Sequence, residues 1–230
     1  SRFFTHILER WLPDAFIIAI VITFIVLITG VFIQNQPPVH MVRFWGDGVG
    51  NLLVFSMQVT ITLFTGSVLA QTQTVRSGLK KIASIAKSPG QAIILMTTIA
   101  LICCWISWGF GLIASALMAR EIALQVKGVH YPLLVASAYS GMLVWHAGLS
   151  ASIPLKIAAA DGDGLSALLN GNTIPLSETI FSWESLTICL VLFFTLPIVN
   201  KLMLPAPKET VEIEPRIINL HTDTKIKIST

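Results

Sequence analysis

The sequence predicts an all-α polytopic membrane protein, and three observations carry that assignment. Apolar residues fill 54% of the 230 positions and charged residues only 12%, about half the charged share of a soluble domain. The apolar residues come in blocks: Ala15–Ile33 is broken only by Thr23, Thr29 and Gly30, and Leu186–Val199 is similarly rich. Uncharged blocks near 20 residues match the hydrocarbon thickness of a bilayer. Third, one apolar segment gathers Gly141, Gly148, Ser150, Ser152 and Pro154 around His146, where an ordinary spanning helix carries no interruption.

In chain order, Ser1–Trp11 reads as an amphipathic lead-in, with Arg2, Arg10 and Trp11 at the membrane surface. Pro13 and Asp14 suit a helix start, and a first span follows over about residues 14–32. Gln34–Pro38 is a turn, and His40–Gly50 an external segment in which Gly46-Asp47-Gly48 forms a turn. The second span, about residues 51–70, is the most polar. Its Gln58, Thr60, Thr62 and Thr65 either hydrogen-bond between helices or line a substrate path. Thr72–Pro89 is polar and basic. Gly90–Ala119 then runs without a charge, interrupted by Ser107-Trp108-Gly109-Phe110-Gly111, until Arg120, Glu121 and Lys127 return the chain to water. Residues 131–160 hold the interrupted helix, 161–182 an external loop, 183–204 a last span bent at Pro197, and 205–230 a cytoplasmic loop.

Charge decides how these segments cross. If Gly90–Ala119 crossed once, Lys and Arg would divide almost evenly between the two sides. If it enters and returns on one side, thirteen of the fifteen Lys and Arg residues share a side and only Arg43 and Lys156 lie opposite. Cytoplasmic loops collect Lys and Arg, which favours the second arrangement. The segment is also too short for two full spans of about 20 residues each. A re-entrant hairpin with its tip at Ser107–Gly111 follows, with the N-terminus and the tail cytoplasmic. Two spans, a hairpin and a broken span make the first unit, 1–160, of an inverted repeat, and 183–204 opens a second unit of opposite orientation.

The net charge of +3 is spread over loops and suggests no nucleic acid partner. Cys103, Cys104 and Cys189 lie in apolar segments without metal-ligand spacing, so no metal or other cofactor is expected. No Gly-x-x-x-x-Gly-Lys-Ser/Thr phosphate loop appears, so the chain shows no ATP-driven motor.

Trp145–Ser152 is expected to separate two half-helices. Glycine weakens a helix and serine prefers its cap. Irregular backbone at bilayer depth survives only where protein or a water-filled cavity surrounds it. Ser150 or Ser152 can cap the second half-helix, with Pro154 in its first turn, and its positive end then faces an anion. His146 has three readings: it holds backbone groups at the break, it relays a proton, or it touches a carboxylate. Lys156 snorkels outward or pairs with substrate. Trp105 is packing or a pocket wall. An enzyme with His146 as base is the weaker class, because no acidic partner lies nearby in the sequence.

The ordered set Trp45-Gly46-Asp47-Gly48, Trp108-Gly109-Phe110-Gly111, Ala119-Arg120-Glu121, Tyr131-Pro132-Leu133-Leu134 and Trp145-His146-Ala147-Gly148-Leu149-Ser150-Ala151-Ser152-Ile153-Pro154 resembles the bacterial short-chain fatty acid transporter family. The match runs through nearly the whole chain, with alanine at Ala147 and Ala151 where members often have glycine. The resemblance implies a secondary transporter of the bacterial inner membrane that moves acetoacetate, butyrate or similar monocarboxylates. It also implies two inverted repeats, so that this chain is an N-terminal half whose partner is the C-terminal half. Related architectures are often homodimers. An inactive half-transporter or assembly partner is the alternative. The expected substrate site takes Ser107, Trp108, Gly109, Phe110 and Gly111 from the hairpin, and Trp145, His146, Gly148, Ser150 and Ser152 from the broken helix. Sodium or protons would drive uptake.

Overall fold

A computed structural model describes residues 13–159 and 172–213. The lead-in, most of the external loop and the end of the tail lie outside the described residues. The described residues are helical, with no strand among them. Five segments are long and apolar enough to cross a membrane: Ala15–Phe32, Pro38–Gln71, Pro89–Ile106, Tyr131–Ala159 and Trp183–Leu202. The chain divides into two compact units, Ser1–Thr60 and Ile61–Thr230.

In the first unit, α1 (Ala15–Phe32) starts as expected, its first turn capped by the Asp14 carboxylate, which accepts the Phe16 N–H at 2.8 Å. Helix α2 (Pro38–Gln71), whose residues from Ile61 on belong to the second unit, differs from the expectation. The turn at Gly46-Asp47-Gly48 and the separate external segment are absent, and one 34-residue helix continues through them. At 1.5 Å per residue it is about 50 Å long. Each glycine costs a helix about 1 kcal/mol, but open backbone near lipid costs several per unsatisfied group. Thr60 and Thr65 donate back to the carbonyls of Ser56 and Ile61 at 2.8 Å, so these two hydroxyls satisfy themselves within their own helix.

The second unit is built on three helices: α4 (Pro89–Ile106), α5 (Trp108–Gln125) and α6 (Tyr131–Tyr139). Their shared core contains Ile93, Met96, Ala100, Met118, Ile122 and Leu134, all 0% exposed. Before them comes α3 (Gln73–Ala83), an amphipathic helix that was not anticipated. Thr72 caps it, and Leu79 and Ala83 are buried, while Lys80 and Lys81 occupy its last turn, where cations favour the helix dipole.

Beyond α6 the chain tightens into a 3₁₀ segment, Ser140–Ala147, breaks at 148–151, and resumes as α7 (Ser152–Ala159). The final helix α8 (Trp183–Leu202) runs on through Pro197. Its Asn200, 8% exposed, donates to Thr97 Oγ1 and to Ser140 Oγ, both at 3.1 Å. Those hydroxyls donate onward to the carbonyls of Ile93 and Ser137 at 2.8 and 2.7 Å, so one amide ties α8 to α4 and to the start of the 3₁₀ segment. Past α8 the chain returns to the α5–α6 turn. Val211 C=O accepts the Tyr131 N–H at 2.8 Å, Val211 N–H donates to His130 Nδ1 at 3.0 Å, and the Glu212 carboxylate accepts the Gly128 N–H at 2.8 Å.

Candidate functional site

The site forms where two helix interruptions meet. The first is a single residue, Ser107, extended at φ −154° and ψ 114°, which ends α4 and starts α5. The expected five-residue tip is shorter in fact: Trp108, Gly109, Phe110 and Gly111 already belong to α5. The second is Gly148–Ala151, ahead of α7. The chain leaves α-geometry at Ser140, ahead of the expected Trp145, because the 3₁₀ segment comes first.

Each interruption satisfies the other. A helix end leaves carbonyls without partners, and a helix start leaves N–H groups. The Trp105 carbonyl, near the end of α4, accepts the Leu149 N–H at 2.7 Å. The Trp108 N–H, at the start of α5, donates to Ser150 Oγ at 3.0 Å. The Trp145 indole N–H donates to the Ser150 carbonyl at 3.3 Å. The Ser150 hydroxyl thus bridges to the other interruption rather than waiting at the α7 cap. In hydrocarbon such groups have no water to fall back on.

Glycines permit the approach. A Cβ on Gly148 would strike the Trp105 carbonyl oxygen, and a Cβ on Gly111 would lie 2.6 Å from the Cys104 backbone nitrogen. A Cβ on Gly141 would lie 2.5 Å from the Ala100 carbonyl oxygen, and one on Gly109 would lie 2.9 Å from the Thr62 side chain.

Of the ten expected site residues, Trp108, Trp145, His146 and Ser150 come together directly. The Trp108 and Trp145 rings lie 5.1 Å apart at 40°, and His146 stacks on Trp145 at 4.3 Å and 24°. Ser107 sits at the interruption without capping α5 through its side chain. Ser152 opens α7 and is half-buried. Gly109, Gly111 and Gly148 serve backbone packing, and Phe110 packs against the buried core. Backbone groups at the break are held by the Trp105 carbonyl and the Trp145 indole. His146 is exposed, and its imidazole shows no hydrogen bond among the described residues. Trp105 is open between packing and wall in the sequence, and Asn200 is not among the expected site residues. An amide near the end of an apolar helix, three residues past a proline, was the available signal for Asn200.

The sequence matches a known family and two curated relatives. The family model described as short chain fatty acid transporter matches residues 1–230. A protein of Escherichia coli (strain K12), assigned by name as a short-chain fatty acid transporter, is 40% identical over 223 residues, covering 97% of this chain and 50% of its own length. A protein of Haemophilus influenzae (strain ATCC 51907 / DSM 11121 / KW20 / Rd) with the same assigned name is 39% identical, covering 95% of this chain and 50% of its own length. The chain therefore spans about half the length of these curated relatives. No solved structure matches it significantly. A multi-pass helical chain, matched by the family model from its first residue to its last, belongs to the short-chain fatty acid transporter family.

Proposed function

We propose that this chain is the N-terminal half of a secondary active transporter that moves acetoacetate, butyrate or a similar small monocarboxylate across the bacterial inner membrane. The observation that carries the reading is the mutual bracing of the two helix interruptions, because it fixes irregular polar backbone inside an apolar protein. Amides in the first turns of α5 and α7 supply donors and a positive dipole end for a carboxylate. Ser107, Ser150 and Ser152 add hydroxyls, and Trp108 and Trp145 add an aromatic wall for the carbons next to the carboxylate. In this reading α4 and α5 form a re-entrant hairpin, the N-terminus is cytoplasmic, and α8 opens an inverted second repeat. Sodium or protons drive uptake, and the complete transporter is a homodimer. Because the chain spans half its relatives' length, residues 1–230 alone form half a site, and the alternative is an inactive half-transporter or assembly partner.

Labelled butyrate uptake tests the reading, comparing cells that make the full natural length with cells that make residues 1–230. Uptake by the first alone is the expected result, and uptake by neither removes the transport reading. Ser152→Ala is expected to lower uptake at least about tenfold at nearly normal abundance, the scale of one lost charge-assisted hydrogen bond. Equal loss of abundance and uptake would assign Ser152 to packing. If His146 relays the driving proton, His146→Gln flattens the pH profile of uptake; an unchanged profile removes that role.

A further inference from the structure

An apolar cleft of about 360 Å³ opens between α4, the 3₁₀ segment and α8. Its walls include Leu101 and Trp105 of α4, Val144 of the 3₁₀ segment, and Leu186, Cys189 and Leu190 of α8. The volume is at the lower end of ordinary small-molecule pockets, about 300–1,000 Å³. Two of its walls continue directly into the braced interruptions. The Trp105 carbonyl holds the Leu149 N–H while its side chain lines the cleft beside Cys189. Val144 immediately precedes Trp145, whose indole holds the Ser150 carbonyl. Those four groups pair with one another, but the Ser150 hydroxyl in the same brace only accepts, from the Trp108 N–H, and has its own proton to donate, so a donor for a charged head and an apolar wall for a hydrocarbon tail are built from neighbouring residues.

The geometry points to this cleft as the subsite for the alkyl tail of the carboxylate, with its α8 wall setting the longest tail accepted. The assignment rests on the transport reading and adds the residues that select chain length. The wall can be altered without disturbing the core, because Leu190 is 60% exposed and Leu186 39% exposed, against 3% for Val144. Ile188, on the same helix and 59% exposed, does not line the cleft.

The test measures uptake of propionate and hexanoate by the full-length protein carrying Leu190→Trp, Leu186→Phe or Ile188→Trp, each at measured abundance. Filling the cleft is expected to raise KM for hexanoate about tenfold or more, the scale of a methylene-sized mismatch, and to leave propionate unchanged. Ile188→Trp is expected to change neither. Three results overturn the assignment: an equal loss for both acids, the same shift from Ile188→Trp, or an unchanged ratio in both cleft variants, as when a bilayer lipid tail fills the cleft. Import of butyrate but of neither test acid by the unsubstituted protein overturns this assignment and leaves the transport reading standing; import of none of the three at normal abundance removes both.

Discussion

Gly148→Ala is expected to abolish butyrate uptake and lower the protein's thermal stability in detergent. The added Cβ would strike the Trp105 carbonyl oxygen, the group that accepts the Leu149 N–H at 2.7 Å. Neither side can yield cheaply, since the Cβ is fixed rigidly to one backbone and the oxygen belongs to the other, both at helix interruptions. Overpacking costs about 1–3 kcal/mol, and separating the two interruptions orphans a carbonyl and an N–H, at about 1–3 kcal/mol each. A loss of several degrees in melting temperature follows. The same substitution at Gly48 provides the contrast. No atom lies within 4 Å of a Cβ there, and the residue is inside α2. Gly48→Ala should leave stability unchanged or raise it by about 0.5–1 kcal/mol, from helix propensity alone. Similar melting temperatures for the two variants would show that the interruptions do not brace each other.

The second large effect is an ordering of variants at Asn200. Asn200→Asp is expected to be worse than Asn200→Leu, although it is closer in shape. The amide donates to Thr97 Oγ1 and Ser140 Oγ, and those hydroxyls already give their protons to carbonyls. Leucine removes two donors and leaves two hydroxyls each short of one donor. Hydrogen bonds between membrane helices average about 0.6 kcal/mol, so the loss should be about 1–2 kcal/mol. Aspartate instead presents acceptors to two oxygens whose protons are committed. It also brings an unpaired charge to an 8% exposed position, and desolvating an ion costs several kcal/mol. Thermal melts of the two variants in matched detergent decide the order. An aspartate variant as stable as the leucine variant would mean that the amide's two donor contacts are absent in solution.

Much of the fold was legible because membrane spans are written locally. The first span, expected over about 14–32, is Ala15–Phe32, and the last, expected over about 183–204, is Trp183–Leu202. The two interruptions were also local, through Ser107 and through Gly148 and Ser150. Helix α2 departs from the sequence expectation because the need for backbone to satisfy itself near lipid outweighs the local turn preference of Gly46-Asp47-Gly48. Helix α3 is hard to read in the sequence because Arg76, Lys80 and Lys81 are interleaved with the apolar residues Val75, Leu79 and Ala83, whose helical spacing is its only local signal.

The candidate site was legible only as a set of residues. The partners that create it are 42 positions apart at Trp108 and Ser150, and 103 apart at Thr97 and Asn200. No local periodicity encodes such pairs. The glycines were assigned to a loop around substrate, whereas Gly109, Gly111 and Gly148 each admit a neighbouring element.

Asn200 also sets a timetable for synthesis. Ser140 meets its amide partner 60 residues later in the chain and Thr97 103 residues later. At ribosomal speeds of about 5–20 residues per second, the Ser140 partner arrives roughly 3–12 seconds behind. During that interval the nascent segment at 140–147 lacks its clasp.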